Sequence, residues 1–477
     1  MDETSLSSPH ADATMDRSPR RAHLVGIGGS GMRALAEVLD DWGWGVTGSD
    51  ASPEAVGELR AAGFRVALGH APENVPPDTG LVIASDAVPP GNPELEHAVR
   101  RGVPVVSYFD VLGQLSAARR TLAVAGTHGK STITAMAARV LAEAGRDPTV
   151  FCGAAPPGRL SGGRAGGGNL LLVEACEYRA NFLKLRPQQA VILSIEPDHF
   201  DCYPTAAELE RAFRRFAESV PQDGLLLARG DCPTTRRIAA RLECRVETFA
   251  LDGAADWTAR GLLLHRGRYR FTLERRGRAL AEVALRVPGR HNVLNALAAA
   301  ALAWHEGVAP AQLAAGLAGF RGLKRRLEHR GVWRGVTLLD DYAHHPTEIA
   351  AALDAVRRMA PGRRVWCVFQ PHQASRTAHL LDGLAETLQN ADTVLVAEIF
   401  RAREGPPQPG EVTAADLAAR VRTGGTACLG VHDQAEITAL LRAELRPGDV
   451  LVTMGAGDIG RICHELACWL GRDRAAG

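Results

Sequence analysis

The chain has almost no net charge. Over 477 residues, 55 basic side chains stand against 54 acidic ones, a formal +1 at neutral pH. So weak a field excludes general recruitment of nucleic acid or of an anionic membrane. The densest basic run, Lys324-Arg325-Arg326, is three charges long; that makes a site, not a nucleic-acid surface. No apolar run approaches the ~18–20 residues needed to cross a bilayer as a helix. The nine cysteines include no C-x-x-C pair and read as reduced thiols in a cytosolic protein. Residues 1–20 are rich in Ser, Asp, Pro and Ala and lack an apolar stretch, so they read as a disordered tail and not as a signal peptide.

What the chain does have is alternation. Strand-length apolar runs at His23–Ile27, Leu122–Ala125, Leu170–Val173, Ala190–Ile195, Val365–Phe369 and Asp449–Met454 are interleaved with helix-length stretches such as Met32–Asp41, Ser131–Glu143, Asn292–Glu306, Thr347–Met359 and Leu380–Gln389. That is the pattern of parallel α/β domains. At ~100–200 residues per domain the length predicts about three of them, with boundaries expected after residues 118 and 322: 21–118, 119–322 and 323–477. From about Ala250 to Arg286 the alternation of Tyr269, Phe271 and Leu273 with polar residues predicts antiparallel hairpins on the central domain. The tract Gly162–Gly168 reads as a flexible turn.

Val124-Ala-Gly-Thr-His-Gly-Lys-Ser-Thr132 lies between a strand-like run and a helix and has the chemistry of a phosphate loop. Gly126 and Gly129 let backbone N–H groups turn toward an anion, Lys130 brings a point charge, and the Ser131 hydroxyl suits Mg²⁺. The following helix adds the positive end of its dipole. The strict P-loop pattern requires glycine where Val124 stands, so the match is to a shorter form, G-T-x-G-K-S.

A second glycine loop, Gly26-Ile-Gly-Gly-Ser-Gly31, follows the first strand, with Asp50 at the end of the next one. Alone, it fits a dinucleotide fingerprint and an NAD(P)-dependent oxidoreductase. It predicts a diphosphate on a helix N-terminus, not the group that hangs from it. Nothing after Asp50 looks like a hydride-transfer site.

Six segments in order, Gly126-Thr-His-Gly-Lys-Ser131, Ile195-Glu-Pro-Asp-His199, Pro288-Gly-Arg-His-Asn-Val-Leu-Asn295, Lys324-Arg-Arg326, Asp340-Asp-Tyr-Ala-His-His-Pro346 and Met454-Gly-Ala-Gly-Asp-Ile459, resemble the Mur ligases from about Arg21 to Leu470. The resemblance implies an α/β enzyme of three domains: a Rossmann-like N-terminal domain for a UDP-sugar, a central P-loop ATPase-like domain for ATP, and a Rossmann-like C-terminal domain for the incoming amino acid. Within the family the chain is most similar to the branch that joins L-alanine to UDP-N-acetylmuramate through an acyl phosphate, in a cytoplasmic monomer or homodimer. A sister ligase that attaches a recycled tripeptide usually has phenylalanine where this chain has Tyr342. A regulatory nucleotide-binding protein descended from ligases is the remaining alternative, and the presence of Lys130, Ser131, Glu174 and His199 speaks against it.

The resemblance also implies roles. Gly126, Thr127, His128, Gly129, Lys130, Ser131 and Thr132 would cradle ATP phosphates, with Ser131 and Glu174 on one Mg²⁺ and His199 near a second. Asn292 and Asn295, three apart on one helix face, offer the donors and acceptors that an adenine edge requires; their plainer reading is a helix cap. Arg326 and Asp341 would reach the nucleotide when the last domain closes. Gly28, Ser30, Gly31 and Asp50, with His70 and Ser85, would bind the UDP-sugar. Tyr342, His344 and Arg376 would meet substrate, and Lys130, Glu174, His199, His344 and Arg376 are the expected catalytic set. His344 and His345 lack the helix-spaced His-Glu partners of a zinc site. Glu174 as a plain strand end, His199 as a core histidine and Lys324–Arg326 as a solvated run are the bland readings. The chain departs from the family at Gln373 and Ala374, where arginine and an aromatic are usual, at Cys176 for aspartate and at Ser194 for asparagine. Gln373 cannot supply a guanidinium's charge to an amino-acid carboxylate.

Overall fold

Runs of branched apolar residues pair into three sheets, described here from a computed structural model for residues 20–402 and 404–473. The stretch 1–19, most of the expected tail, lies outside the described residues. The first sheet has five parallel strands, Arg21–Val25 (β1), Gly45–Asp50 (β2), Arg65–Leu68 (β3), Leu81–Ala84 (β4) and Val105–Ser107 (β5), in the order β3-β2-β1-β4-β5. This is the first part of a doubly wound sheet. Strand order reverses between β1 and β4, which places the loop after β1 in the crevice where such sheets take ligands.

The central sheet contains Arg120–Ala125 (β6), Thr149–Phe151 (β7), Leu170–Glu174 (β8), Gln189–Ile192 (β9), Leu225–Arg229 (β10), Arg245–Phe249 (β11), Trp257–His265 (β12), Arg268–Arg275 (β13) and Arg278–Pro288 (β14), ordered β14-β13-β12-β11-β10-β9-β6-β8-β7. β12 to β14 form the antiparallel hairpins expected from the alternation. The last sheet is Glu328–Trp333 (β15), Val336–Asp341 (β16), Val365–Phe369 (β17), Thr393–Ala397 (β18), Ala427–His432 (β19) and Val450–Met454 (β20), ordered β15-β16-β20-β17-β18-β19, with β15 antiparallel at its edge.

β6 shows why its loop is held firmly. Leu122 and Val124 point into a core shared with the alanine-rich helix Arg290–His305, whereas Ala123 and Ala125 point into a core that also contains Leu24, Ile27 and Leu35 of the first sheet's layer. Both faces of the strand are buried, as in sheets covered by helices on each side, and one apolar cluster spans the first two sheets. Among the described residues no helix is long and apolar enough to cross a membrane.

Two expectations need correction. Gly162–Gly168 is a packed segment and not a loose turn: Arg164 bridges to Val150, Ser161 donates to Glu37 of the first sheet's layer, and a Cβ on Gly163 would stand 2.4 Å from the Ala34 carbonyl oxygen. Glycine is there for close approach. The helix expected from Leu380 starts at Ala374, so Arg376 sits in its first turn.

Candidate active site between three sheets

A cavity of about 480 Å³ is lined by Ser30, Gly31 and Ser85 from the first sheet's loops, Glu174 and His199 from the central layer, and Tyr342, His344 and Arg376 from the last. Its wall includes strained backbone: His199, Gln373 and Ala402 have φ of 54°, 62° and 52°, a left-handed conformation that costs a non-glycine residue about 1 kcal/mol or more.

The phosphate loop lies beside this cavity and reaches its lining through Ser131, which meets Glu174. Gly126 and Gly129 have φ of 133° and 86°, and a Cβ on Gly126 would come 2.5 Å from that of Leu193. Lys130, the first residue of the helix Lys130–Glu143, folds its Nζ back to the Gly126 carbonyl at 2.6 Å and to Glu177 at 2.9 Å. Ser131 Oγ donates to Glu174 at 3.0 Å, and the other Glu174 oxygen accepts from the Gly153 amide at 2.6 Å. A hydroxyl and a carboxylate side by side at a phosphate loop are oxygen donors of the kind Mg²⁺ prefers, so Ser131 and Glu174 fit that ion. His199 Nε2 lies 3.5 Å from Glu177. Burial works to raise the Glu177 carboxyl pKa, but Lys130 and His199 overcome it and hold the group below the usual carboxylate range.

The loop itself contributes His128 and Gly129 to a neighbouring cleft, lined also by Thr132, Asn292, Asn295, Arg326 and Asp341 among others. The two asparagines cap nothing through their own helix N–H groups. Asn292 Nδ2 donates to the Pro288 carbonyl at 2.6 Å and Asn295 Nδ2 to Asn292 Oδ1 at 3.1 Å. Arg326 lies 3.8 Å from Glu348 and over the Tyr342 ring, 5.2 Å from its centroid. Asp341 accepts the amides of Leu327 and Ala343 at 2.6 and 2.7 Å; burial outweighs these bonds and the Arg326 charge and pushes its pKa up to about 6.

At the opposite end, Arg376 Nη2 meets Asp198 at 2.8 Å, a buried pair linking the last layer to the central one, while Arg376 Nε and His372 Nδ1 are buried without a hydrogen-bond partner. Despite burial, the Arg376 charge and neighbouring histidines keep the Asp198 pKa low. His344 Nδ1 lies 2.9 Å from the Tyr342 carbonyl. A carbonyl only accepts, so Nδ1 carries the proton, and burial beside Arg376 holds the ring neutral, its pKa pushed down. Nε2 therefore keeps its lone pair.

The structure gathers most of the expected residues in the cavity or the adjoining cleft, but Gly126, Thr127, Lys130 and Ser131 lie outside both linings. Gly28 and Asp50 shape the first loop: Asp50 accepts the Gly28 amide at 2.7 Å and the Ser52 amide at 2.9 Å. Outside the cavity lining, His70 Nδ1 is 3.0 Å from Ser49 Oγ and 3.4 Å from buried Glu94. Four carboxylates that the sequence reading did not single out belong to the site: Glu177, Glu196, Asp198 and Glu348. The spacing offered some signal, since Glu177 follows Glu174 by three and Glu348 follows His344 by four. His128, Glu196 and His345 also converge, with ligand atoms within 4.8 Å of one another. His128 is already engaged there as a cation. Burial opposes its charge, but Glu196 and Glu348 raise its pKa to about 9.

Comparison with known proteins places this arrangement. Three family models match in succession: "Mur ligase family, catalytic domain" over residues 21–120, "Mur ligase middle domain" over 124–303 and "Mur ligase, glutamate ligase domain" over 325–457. The chain is 38% identical over 445 residues to the UDP-N-acetylmuramate–L-alanine ligase of Clostridium novyi, covering 93% of this chain and 96% of that one. It is 41% identical over 456 residues to the enzyme of that name from Salinibacter ruber, covering 95% and 96%. Among solved structures, the UDP-N-acetylmuramate–alanine ligase of Thermotoga maritima superposes with a TM-score of 0.80 at 27% identity, over 96% of this chain and 100% of that one. A murein peptide ligase from Psychrobacter arcticus gives 0.72 at 25% identity, over 95% and 99%. The chain belongs to the Mur ligase family.

Proposed function

We propose that the chain joins L-alanine to the lactyl carboxylate of UDP-N-acetylmuramate at the expense of ATP, in the cytoplasmic synthesis of peptidoglycan precursors. The observation that carries this reading is a cavity to which all three layers contribute, Ser30 and Ser85, Glu174 and His199, Tyr342, His344 and Arg376. Residues 21–118 are assigned to the UDP-sugar, 119–322 to ATP and 323–477 to the amino acid. The oxidoreductase reading of the Gly26–Gly31 loop is set aside, because Ser30 and Gly31 face Glu174, His344 and Arg376 across one cavity.

A carboxylate is a poor acyl donor, and phosphorylation gives it a leaving group. The carboxylate oxygen attacks the γ-phosphorus, and the bond to ADP breaks. The alanine amine then attacks the acyl carbon, loses a proton, and inorganic phosphate departs with its electron pair. Lys130 lies where its charge stabilises a transferring phosphoryl group. Ser131 and Glu174 would hold Mg²⁺, which when bound neutralises phosphate charge, and His199 would stand near a second ion. Arg376 Nε offers a buried donor to a substrate carboxylate. Neutral His344, its Nδ1 proton pinned to the Tyr342 carbonyl, presents Nε2 to the proton shed by the amine.

Incubation with UDP-N-acetylmuramate, ATP, Mg²⁺ and either alanine or the tripeptide tests the reading. It predicts ADP, phosphate and the alanyl product with alanine. Product with the tripeptide alone would overturn it.

A further inference from the structure

The ring of His128 does not stay with the phosphate loop that carries it. Its Nδ1 lies 3.2 Å from Glu348 of the last layer and its Nε2 3.5 Å from Glu196 of the central one. The ring also packs against His345, with centroids 4.6 Å apart. Glu196 in turn accepts from Thr347 Oγ1 at 2.5 Å and stands 3.9 Å from His345 Nδ1. His345 caps the helix Pro346–Met359 by accepting the Thr347 amide. One ring thus ties the phosphate loop to the start of a helix in the last layer.

The far side of Glu348 completes the link. It accepts the His344 amide at 3.2 Å and lies 3.3 Å from His344 Nδ1, so the phosphate loop and the imidazole that faces the substrate are joined through one carboxylate. Two carboxylates from different layers converge on a ring that is 14% exposed. A neutral ring would leave both without their counter-charge, and partly buried carboxylates tolerate that poorly.

We propose that His128 is a positioning residue, an ionic link between Glu196 and Glu348 that sets the helix Pro346–Met359, and with it His344, in register with the phosphate loop. The proposal rests on the ligase reading above. Its role is distinct from phosphate binding, which the loop accomplishes through its backbone and Lys130. Removing the link lets the amine-accepting end of the site drift relative to the phosphoryl end, and small misplacements of that kind cost rate more than affinity.

The test is a double-mutant cycle with His128→Gln and Glu348→Gln, measuring ADP binding, ligation kinetics and amide exchange at Thr347–Ile349. The proposal predicts a fall in kcat of roughly 10–100-fold in each single variant, larger than the accompanying change in ADP affinity. It also predicts a double variant no slower than the slower single one. Exchange at Thr347–Ile349 rises in His128→Gln, with protection elsewhere in the helix retained, which separates loss of the link from failure to fold. Losses that multiply in the double variant, or turnover within twofold of wild type with unchanged exchange, would overturn the proposal. Exchange reads the link without turnover, so accelerated exchange in a protein that makes no alanyl product supports the link and sinks only the ligase reading.

Discussion

Lys130 and Glu177 form a partly buried ion pair of 2.9 Å beside His199, which lines a cavity built by three sheets. The lysine is held there before any question of substrate arises, aimed by the glycine loop behind it and by a carboxylate that His199 shares at 3.5 Å. Lys130→Ala is expected to leave UDP-sugar binding nearly intact, read by calorimetry, while turnover falls about 10²–10³-fold, the usual cost of losing one charge contact to a transition state. Near-normal turnover would refute the role given to Lys130.

Glu177→Gln separates Lys130 from its partner without removing either positive group. The expected result is a fall in kcat of roughly 10–100-fold with little change in the KM for alanine, since the glutamate orients the phosphoryl end of the site. A change confined to the alanine KM contradicts the placement.

The Arg376–Asp198 pair makes a two-sided prediction. Arg376→Met strands a buried carboxylate, so stability by urea denaturation should drop by about 3–5 kcal/mol, and the KM for alanine should rise at least tenfold, the order of a lost charged contact. Adding Asp198→Asn should recover stability but not the KM. Recovery of both would reduce Arg376 to a structural role.

Stability should also fall on both sides of neutrality. Burial depresses the pKa of His291, His345 and His372 to about 4; the stability these neutral rings contribute is present above about 6.5 and lost as pH falls toward 4. His128 has the opposite sign. With its pKa raised to about 9, its contribution is full below about 6.5 and lost as pH rises to 9. Urea denaturation across this range should show both limbs, and His128→Gln should flatten the alkaline one by up to about 1.4 kcal/mol per pH unit. An unchanged alkaline limb counts against the ionised ring.

Much of this was legible in the sequence where local pattern and fold agree. The glycine loops advertise themselves because strand, turn and helix follow one another within a few residues, and the hairpins β12 to β14 show in the alternation of Tyr269, Phe271 and Leu273. What stayed hidden depends on distance. The first turn of the helix Ala374–Leu388 reads as polar, and only the fold buries Arg376 and Thr377. Glu177, Glu196 and Glu348 are ordinary carboxylates until three layers bring cations to them. Gly162–Gly168 looks slack because glycine marks a flexible loop and a close approach with the same letter, and the neighbour at Ala34 lies more than a hundred residues away.

The central claim is that the sugar carboxylate is activated as an acyl phosphate in the cavity shared by Glu174, His344 and Arg376, next to Lys130. UDP-N-acetylmuramate carrying ¹⁸O in its lactyl carboxylate, turned over with ATP, Mg²⁺ and alanine, tests it most directly by mass spectrometry of the released phosphate. The account predicts one ¹⁸O transferred to inorganic phosphate for each amide formed. Amide formed with unlabelled phosphate would contradict it.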